Sequence, residues 1–231
     1  MSVAAPGLNQ IGAILFDLDG TLADTAPDLA HALNVQRRMR NQPELPLSAL
    51  RPHVSGGARG MLRAGLGLTP QHAEYAAVRE QFLEIYAENL CRESSLFEGM
   101  HELLARLESR AMQWGIVTNK PTAYTLPLLE ALGLGRRPAC VICGDTTAYT
   151  KPHPAPLLEA CAQLDVEPAR CAYIGDDERD VQAALAAGLV PVVALYGYLG
   201  VEKPPREWGA QLYISSPVDL LNLLAAPLSM G

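Results

Sequence analysis

Short apolar runs recur along the chain, and each one ends at a turn or at a cluster of polar residues. The runs are AILFD ending at Asp17, WGIVTN at 114–119, ACVICGD at 139–145, CAYIGDD at 171–177 and VPVVALYG at 190–197. Apolar residues at helical spacing, such as Met100, Leu103 and Leu107, fill the intervals between the later runs. Such runs are typical of parallel strands buried on both faces. Alternating strands and helices therefore predict an α/β fold with a doubly wound parallel sheet.

The interval between the first and second runs is far longer than a single crossover helix needs. It contains apolar residues at helical spacing and a glycine-rich stretch, SGGARG, at residues 55–60. This pattern predicts an all-helical cap domain inserted into the α/β core domain. The predicted core comprises residues 1–24 and 95–231, the cap residues 25–94, and the hinges lie near 23–25 and 94–99.

Composition narrows the class of protein. The 231 residues are 49% apolar and 19% charged, which is typical of a compact globular protein. The net charge is -7 at pH 7 and there is no long Lys/Arg-rich stretch, so we expect no nucleic-acid partner. The longest apolar stretch is interrupted by Gly188 and Pro191, and the segment MSVAAPGLNQ lacks a basic region followed by an apolar one. We therefore expect a cytoplasmic protein without membrane contact, whose oligomeric state the sequence leaves open.

Two of the five cysteines, Cys140 and Cys143, lie in the sequence CVIC. This spacing resembles a redox or metal-binding pair. However, the surrounding residues are strand-like, and an odd spacing along a strand places two side chains on opposite faces. We interpret these cysteines as buried thiols of the core and expect no disulfide framework.

Polar residues follow several of the predicted strands. These are Asp17 and Asp19 after the first run, Thr118, Asn119 and Lys120 after the second, and Asp176, Asp177 and Asp180 after the fourth, with Lys151 in a preceding loop. Ligands of open α/β sheets bind beyond the carboxyl ends of the strands, so these residues are candidates for a site. Each piece alone also has a structural interpretation, because Asp beside Gly is common in turns and Lys-Pro is common near helix starts.

In this order, DLDGTLADT, TNK, KPHP and GDDERD resemble the four motifs of the haloacid dehalogenase-like hydrolases. The predicted cap also lies where the helical caps of that family are inserted. Within the family the chain is similar to the phosphoglycolate phosphatase branch. The stretches SGGARGM, WGIVTNKP and YGYLGVEKPPREWGA are similar to bacterial N-acetylmuramic acid 6-phosphate phosphatases. The resemblance implies a phosphomonoesterase that acts on a small phosphate ester carrying a carboxylate.

The resemblance also implies the central chemistry. Asp17 would attack phosphorus to form an aspartyl phosphate, while Asp19 would protonate the leaving oxygen and later activate water. A Mg²⁺ ion would be held by the Asp17 and Asp176 carboxylates and by the backbone carbonyl of Asp19. Asp180 would orient the residues around this ion. Such a dication would offset the repulsion between the gathered carboxylates.

Further roles follow from the same resemblance. Thr118 and the backbone N–H of Asn119 would bind phosphoryl oxygens, and Lys151 would supply positive charge to them and to the nucleophile. Asp177 stands where the family often has Ser, so a place near the metal ion and a place at a helix start both stay open. We interpret Lys120 as a structural or rim residue.

Two histidines, His53 and His153, are tempting general bases. The aspartate pair leaves them no required task, since one carboxyl group can serve as acid and then as base. We therefore predict no catalytic role for either histidine.

The SGGARG stretch in the predicted cap is a candidate for substrate binding. The backbone at Ser55, Gly56 and Gly57 could approach a ligand closely, and Arg59 could bind a carboxylate through two parallel hydrogen bonds. The structural interpretation is a turn that connects two helices. The same binding role is open to two neighbouring arginines, Arg51 and Arg63.

Three other functions would also use acidic residues at the ends of such a sheet. A non-enzymatic phospho-receiver needs neither the carboxylate of Asp19 nor a helical insertion. A dehalogenase is disfavoured because halide departure requires no proton donor. A phosphosugar mutase of the same family stays open, since it differs in how the cap controls water. Both phosphoglycolate and N-acetylmuramic acid 6-phosphate fit as substrates, and we favour the second.

Overall fold

The computed structural model describes residues 11–225, so the segment MSVAAPGLNQ lies outside the described residues. The strands are β1 (Ala13–Phe16), β2 (Ala23–Asp24), β3 (Ser95–Leu96), β4 (Gln113–Val117), β5 (Val141–Ile142), β6 (Cys171–Gly175), β7 (Val190–Ala194) and β8 (Leu212–Ile214). Six of them form one parallel sheet in the order β5-β4-β1-β6-β7-β8. β1 therefore lies in the middle of the sheet, between β4 and β6.

Nine α-helices lie within the described part of the chain. They are α1 (Ala26–Met39), α2 (Leu47–Leu50), α3 (Gly57–Leu66), α4 (Tyr75–Glu88), α5 (Met100–Ser109), α6 (Thr122–Ala131), α7 (Ala155–Leu164), α8 (Glu178–Ala187) and α9 (Asp219–Ala225). Short 3₁₀ helices occur at Arg51–Gly56, Pro168–Arg170 and Pro205–Glu207. None of these helices is long and apolar enough to span a membrane.

The sheet is covered on both faces, as its alternating side chains require. Ile14 and Phe16 belong to one apolar cluster with residues of α5, α6 and α9, including Leu104. Ala13 and Leu15 belong to a second cluster with residues of α7 and α8. Helices on both faces of a parallel sheet make the fold doubly wound, so the predicted fold class is confirmed.

The helices α1 to α4 lie between β2 and β3 in the chain, and we call residues 25–94 the helical insertion. These helices share an apolar cluster that includes Leu33, Met61 and Phe82. β2 and β3 pair in an antiparallel ribbon, with Ala23 opposite Leu96, so the chain enters and leaves the insertion at neighbouring points. The ribbon lies where the sequence places the hinges, while the division into two domains remains a prediction.

Two strands differ from the sequence expectation. The run ACVICGD at 139–145 predicts a longer strand than the two residues of β5. The observed strand is short because the chain turns after Cys143, whose backbone N–H binds the Thr146 hydroxyl. No run predicts β8, which has only three residues and lies at the edge of the sheet. All five cysteines are free thiols, and Cys140 and Cys143 are buried, which confirms their interpretation as core residues.

Candidate active site

The site lies at the carboxyl ends of three adjacent strands. Asp17 follows β1, Thr118 follows β4 and Asp176 follows β6. Because β1 pairs in parallel with both β4 and β6, these three positions lie side by side at one edge of the sheet. The structure therefore brings together the polar residues that the sequence places after separate apolar runs.

Three carboxylates converge at this edge. One oxygen from each of Asp17, Asp176 and Asp180 lies within 4.8 Å of the other two. Asp176 is fully buried and accepts hydrogen bonds from the Thr21 hydroxyl at 3.0 Å and the Tyr198 backbone N–H at 2.7 Å. Burial and the neighbouring carboxylates raise the pKa of Asp176 well above its usual value. Burial likewise raises the pKa of Asp17 to about 7, although Lys151 lowers it. Three clustered carboxylates carry more negative charge than a single lysine can balance, and their oxygens are the ligands that a hard cation prefers.

A glycine lets the chain pass close to this cluster. Gly20 has a φ of +87°, and a Cβ atom there would collide with the carboxylate of Asp176. A residue without a side chain is therefore required at this turn.

Lys151 is the cation that accompanies the cluster. Its ammonium nitrogen lies 2.9 Å from Asp17 Oδ1 and 2.7 Å from Asp180 Oδ1, and it donates to the Tyr173 hydroxyl at 2.7 Å. Burial alone would lower the pKa of Lys151, but the two carboxylates raise it above its usual value. The second oxygen of Asp180 accepts the backbone N–H of Asp177 at 3.1 Å. Both Asp180 oxygens are thus engaged, which suits a residue that holds Lys151 in place.

The Asn119 side chain fixes the backbone of Lys151. Its amide donates to the Lys151 carbonyl at 2.9 Å and accepts the Lys151 backbone N–H at 2.9 Å. Sequence reasoning considered only the backbone of Asn119. The neighbouring Thr118 hydroxyl oxygen accepts the Lys120 backbone N–H at 3.1 Å, so the hydroxyl keeps its own proton for a ligand.

Asp19 is held by two donors on the same oxygen. Thr25 Oγ1 donates to Asp19 Oδ1 at 2.5 Å, and Lys120 Nζ lies 2.9 Å from that oxygen. The Lys120 side chain is only 8% exposed, and its ammonium lies 4.8 Å from the centre of the Tyr86 ring. Of the two interpretations of Lys120, a rim position is wrong, because this lysine is buried and pairs with Asp19; a structural role is left.

A cavity of about 290 Å³ separates the sheet edge from the helical insertion. Its lining includes the predicted site residues Asp17, Asp19, Ser55, Gly56, Gly57, Arg59, Thr118, Asn119, Lys151, Asp177 and Asp180, but not the fully buried Asp176. Of the three arginines considered for a carboxylate, Arg59 alone lines the cavity. Arg51 instead forms a two-bond pair with Asp24, at 3.0 and 2.8 Å.

Asp177 lies at the start of α8, where it is the residue just before the helix. Its carboxylate accepts the Arg179 backbone N–H at 2.9 Å and forms a capping box with Asp180, which favours the helix-start interpretation. The Arg179 side chain donates to Asp177 at 2.8 and 3.0 Å and to the Ser55 carbonyl at 2.6 Å. Burial raises the pKa of Asp177, but the hydrogen bonds and charge of Arg179 outweigh burial and lower it.

Several cavity residues escaped sequence reasoning. Arg79, Tyr86 and Arg179 line the cavity together with the predicted residues. Arg179 stands inside GDDERD and could have been noticed there, whereas Arg79 and Tyr86 lie in an ordinary amphipathic helix. Neither His53 nor His153 lines the cavity, and the His153 ring stacks on Tyr149 with 4.1 Å between ring centres.

Comparisons with known proteins agree with this geometry. A family profile described as "Haloacid dehalogenase-like hydrolase" matches residues 14–194. The chain is 39% identical over 215 residues to an N-acetylmuramic acid 6-phosphate phosphatase of Pseudomonas aeruginosa, covering 93% of this chain and 95% of that protein. It is 43% identical over 215 residues to a phosphoglycolate phosphatase of Xanthomonas campestris pv. campestris, covering 93% and 97%.

A solved structure extends the likeness to three dimensions. It is that of a predicted phosphoglycolate phosphatase from Haemophilus somnus 129pt, with a TM-score of 0.82 and 29% identity, covering 93% of this chain and 98% of that one. These relatives are named as phosphatases, so the resemblance and the enzyme class predicted from the four motifs are confirmed. The chain therefore belongs to the haloacid dehalogenase-like hydrolase family.

Proposed function

We propose that the protein is a Mg²⁺-dependent phosphomonoesterase that forms an aspartyl phosphate on Asp17. The observation that carries the proposal is the position of Asp17 at the floor of the cavity, beside Lys151 and within 4.8 Å of Asp176 and Asp180. Asp17 Oδ1 accepts the Leu18 backbone N–H at 2.8 Å and pairs with Lys151. These contacts orient the carboxylate toward a phosphorus atom held above it.

In the first step, an oxygen of Asp17 bonds to phosphorus as the bond from phosphorus to the ester oxygen breaks. Asp19 gives its proton to the departing oxygen, which leaves as an alcohol. Both donors to Asp19 bind Oδ1, so Oδ2 stands available for this transfer. In the second step, Asp19 takes a proton from water, which attacks phosphorus and releases phosphate from Asp17.

The remaining groups bind the phosphoryl oxygens. The Thr118 hydroxyl and the Asn119 backbone N–H act as donors, and Lys151 supplies a charge whose position Asp180 and the Asn119 amide secure. Asp17 and Asp176, with the Asp19 carbonyl, would hold Mg²⁺, whose oxygen preference matches these donors. When bound, the ion neutralises the carboxylates and the charge of the phosphoryl group.

The substrate carries a carboxylate in addition to its phosphate. Arg59 supports this part of the proposal, since it lines the cavity from α3 of the helical insertion. A guanidinium group binds a carboxylate through two parallel hydrogen bonds. Relatives named for both candidate esters match this chain over most of its length. We take N-acetylmuramic acid 6-phosphate as the physiological substrate and phosphoglycolate as the second candidate.

Matched pairs of esters test the substrate class. N-acetylmuramic acid 6-phosphate is compared with N-acetylglucosamine 6-phosphate, which lacks its carboxylate, and phosphoglycolate is compared with 2-hydroxyethyl phosphate. We expect kcat/KM to be about 10- to 100-fold higher for the carboxylate-bearing member of the preferred pair, the effect of one charge-assisted contact. Equal kcat/KM values within both pairs would contradict carboxylate recognition.

A further inference from the structure

The backbone N–H groups at the start of α1 have an unusual hydrogen-bond acceptor. The first N–H groups of a helix have no partner within it, and a Thr just before the helix commonly binds one of them through its own hydroxyl. Thr25 holds this position, but its side chain makes no such bond. Instead, the hydroxyl oxygen of Tyr198 accepts the backbone N–H of Thr25 at 2.8 Å and that of Ala26 at 3.0 Å.

The tyrosine hydroxyl is fully used in this arrangement. It accepts two hydrogen bonds and donates its own proton to Asp24 Oδ1, at 3.1 Å. The Tyr198 side chain reaches the helix start from a position 173 residues away in the chain. It is buried, so no water replaces these contacts easily.

The same tyrosine hydroxyl also lies 3.4 Å from Thr25 Oγ1, so it contacts both the backbone and the side chain of Thr25. The single proton of the Thr25 hydroxyl goes to Asp19 Oδ1, at 2.5 Å. The contact with Asp19 thus depends on the tyrosine that holds Thr25 in place.

The same tyrosine also touches the carboxylate cluster. The Tyr198 backbone N–H donates to Asp176 Oδ2 at 2.7 Å. One buried residue therefore connects a carboxylate of the candidate metal site to the junction with the helical insertion. The position of Asp19 is tied to both through Thr25.

We propose that Tyr198 is a positioning residue: its hydroxyl fixes Thr25 through the backbone N–H and the adjacent Oγ1, so that the Thr25 hydroxyl holds Asp19 for proton transfer. This inference rests on the proposed role of Asp19 as proton donor. Loss of the Tyr198 hydroxyl removes the acceptor of the Thr25 N–H and leaves the Ala26 N–H with only Asp24 Oδ1, at 3.3 Å. Thr25 is then held less firmly, and Asp19 loses a well-placed donor.

The test variant is Tyr198→Phe, and Tyr196→Phe is its matched control. Tyr196 lies two residues away, and its hydroxyl donates to the Thr21 carbonyl at 3.0 Å without contacting the start of α1. kcat/KM is measured with phosphoglycolate, whose alkoxide needs a proton to leave, and with p-nitrophenyl phosphate, whose leaving group is a stable anion. Thermal unfolding of each variant confirms an intact fold.

We expect Tyr198→Phe to lower kcat/KM by about 10-fold for phosphoglycolate and by less than about 2-fold for p-nitrophenyl phosphate, since only the first ester depends on a well-placed acid. Tyr196→Phe should change both values by less than about 2-fold. Equal losses on the two esters in Tyr198→Phe would overturn the inference, because a general loss of structure has no dependence on the leaving group.

Two further variants keep the test sharp. Thr25→Val should reproduce the selective loss of kcat/KM for phosphoglycolate. Thr25→Ser, which keeps the hydroxyl, should leave both kcat/KM values at the wild-type level. In the double variant Tyr198→Phe/Thr25→Val, the loss should not exceed that of Thr25→Val alone, because both changes remove the same contact. A loss in the double variant equal to the product of the two single-variant losses would overturn the inference.

The variant Asp19→Asn distinguishes a failure of the Tyr198 inference from a failure of the proposed proton-donor role of Asp19. The proposed function expects a loss concentrated on phosphoglycolate in this variant. If Asp19→Asn lowers kcat/KM equally for both esters, the proton-donor role is wrong and the inference falls with it, because kcat/KM reports only the steps up to departure of the alcohol. If Asp19→Asn is selective while Tyr198→Phe is not, the inference alone is wrong.

Discussion

The two walls of the cavity are built in different ways. On the sheet side, Asp17, Lys151 and Asp180 are buried and joined by ion pairs of 2.7 and 2.9 Å. On the side of the helical insertion, Arg59 is exposed and lies on the first turn of a helix. Buried charges must find partners at fixed positions, whereas an exposed arginine keeps its freedom until a ligand binds. The sheet edge is therefore suited to chemistry, and the insertion to the choice of substrate.

Removing divalent cations should affect the sheet side most. We expect a chelator such as EDTA to lower activity by more than about 100-fold on every ester, since the clustered carboxylates would repel the phosphate dianion. Mg²⁺ should restore activity, and Ca²⁺ should inhibit because its larger coordination sphere can occupy both oxygens of Asp17. Steady-state rates after exhaustive chelation provide the measurement, and full activity at that point would contradict the account.

The next prediction compares the loss of stability on removing a buried lysine with the loss on removing a half-exposed one. Lys151→Met should lower the free energy of unfolding by about 3 kcal/mol, because it leaves two buried carboxylates without their cation. Lys203→Met removes a half-exposed pair with Glu178 at 2.8 Å and should cost less than about 1 kcal/mol.

Urea unfolding without divalent cations measures both lysine variants. Burial raises the pKa of Asp17 to about 7, so the comparison is made above neutral pH, where this carboxylate is ionised. Added Mg²⁺ should offset part of the loss in Lys151→Met by binding the folded state. Equal losses of stability in the two variants would show that burial does not distinguish the sheet side.

The smallest effect should be confined to the insertion side. Arg59→Ala should lower kcat/KM for the carboxylate-bearing ester by about 10- to 100-fold, equivalent to about 1.5 to 3 kcal/mol of charge-assisted bonding. Hydrolysis of p-nitrophenyl phosphate, which has no carboxylate, should change little. Arg63→Ala is a control on the same helix, because Arg63 lies outside the cavity lining. A parallel loss on both esters in Arg59→Ala would assign this arginine to the fold of the insertion.

The same contrast explains what the sequence could predict. Asp17 and Asp176 were predictable because apolar runs locate the strands, and parallel strands end at a common edge. A rim position stayed open for Lys120 because its partner Asp19 lies 101 residues away, and no local pattern indicates that contact. The role of Arg59 was left open against Arg51 for a related reason. Only the folded insertion shows that Arg51 pairs with Asp24 at the junction.

Tyr198 illustrates the limit most clearly. Its stretch YGYLG contributes to the resemblance, yet nothing in it indicates a bond to the start of a helix 173 residues earlier. Motifs report residues whose chemistry is fixed by their immediate neighbours. Residues that act through a distant helix start become visible only in the fold.

The central claim is that Asp17 carries the phosphoryl group during turnover. The most direct measurement is an acid quench of Asp19→Asn incubated with ³²P-labelled p-nitrophenyl phosphate, which counts the bound phosphate. In a parallel sample, borohydride reduction converts the acyl phosphate to an alcohol, and peptide mass spectrometry identifies the labelled position. This variant can still be phosphorylated, since p-nitrophenolate leaves without a proton, but it hydrolyses the intermediate slowly. We predict one covalent label, on Asp17, and none in Asp17→Asn/Asp19→Asn. Asp17→Asn alone should lose more than about a thousandfold in rate, or about 4 kcal/mol of barrier lowering. A label on another residue, or equal labelling of the double variant, would contradict the account.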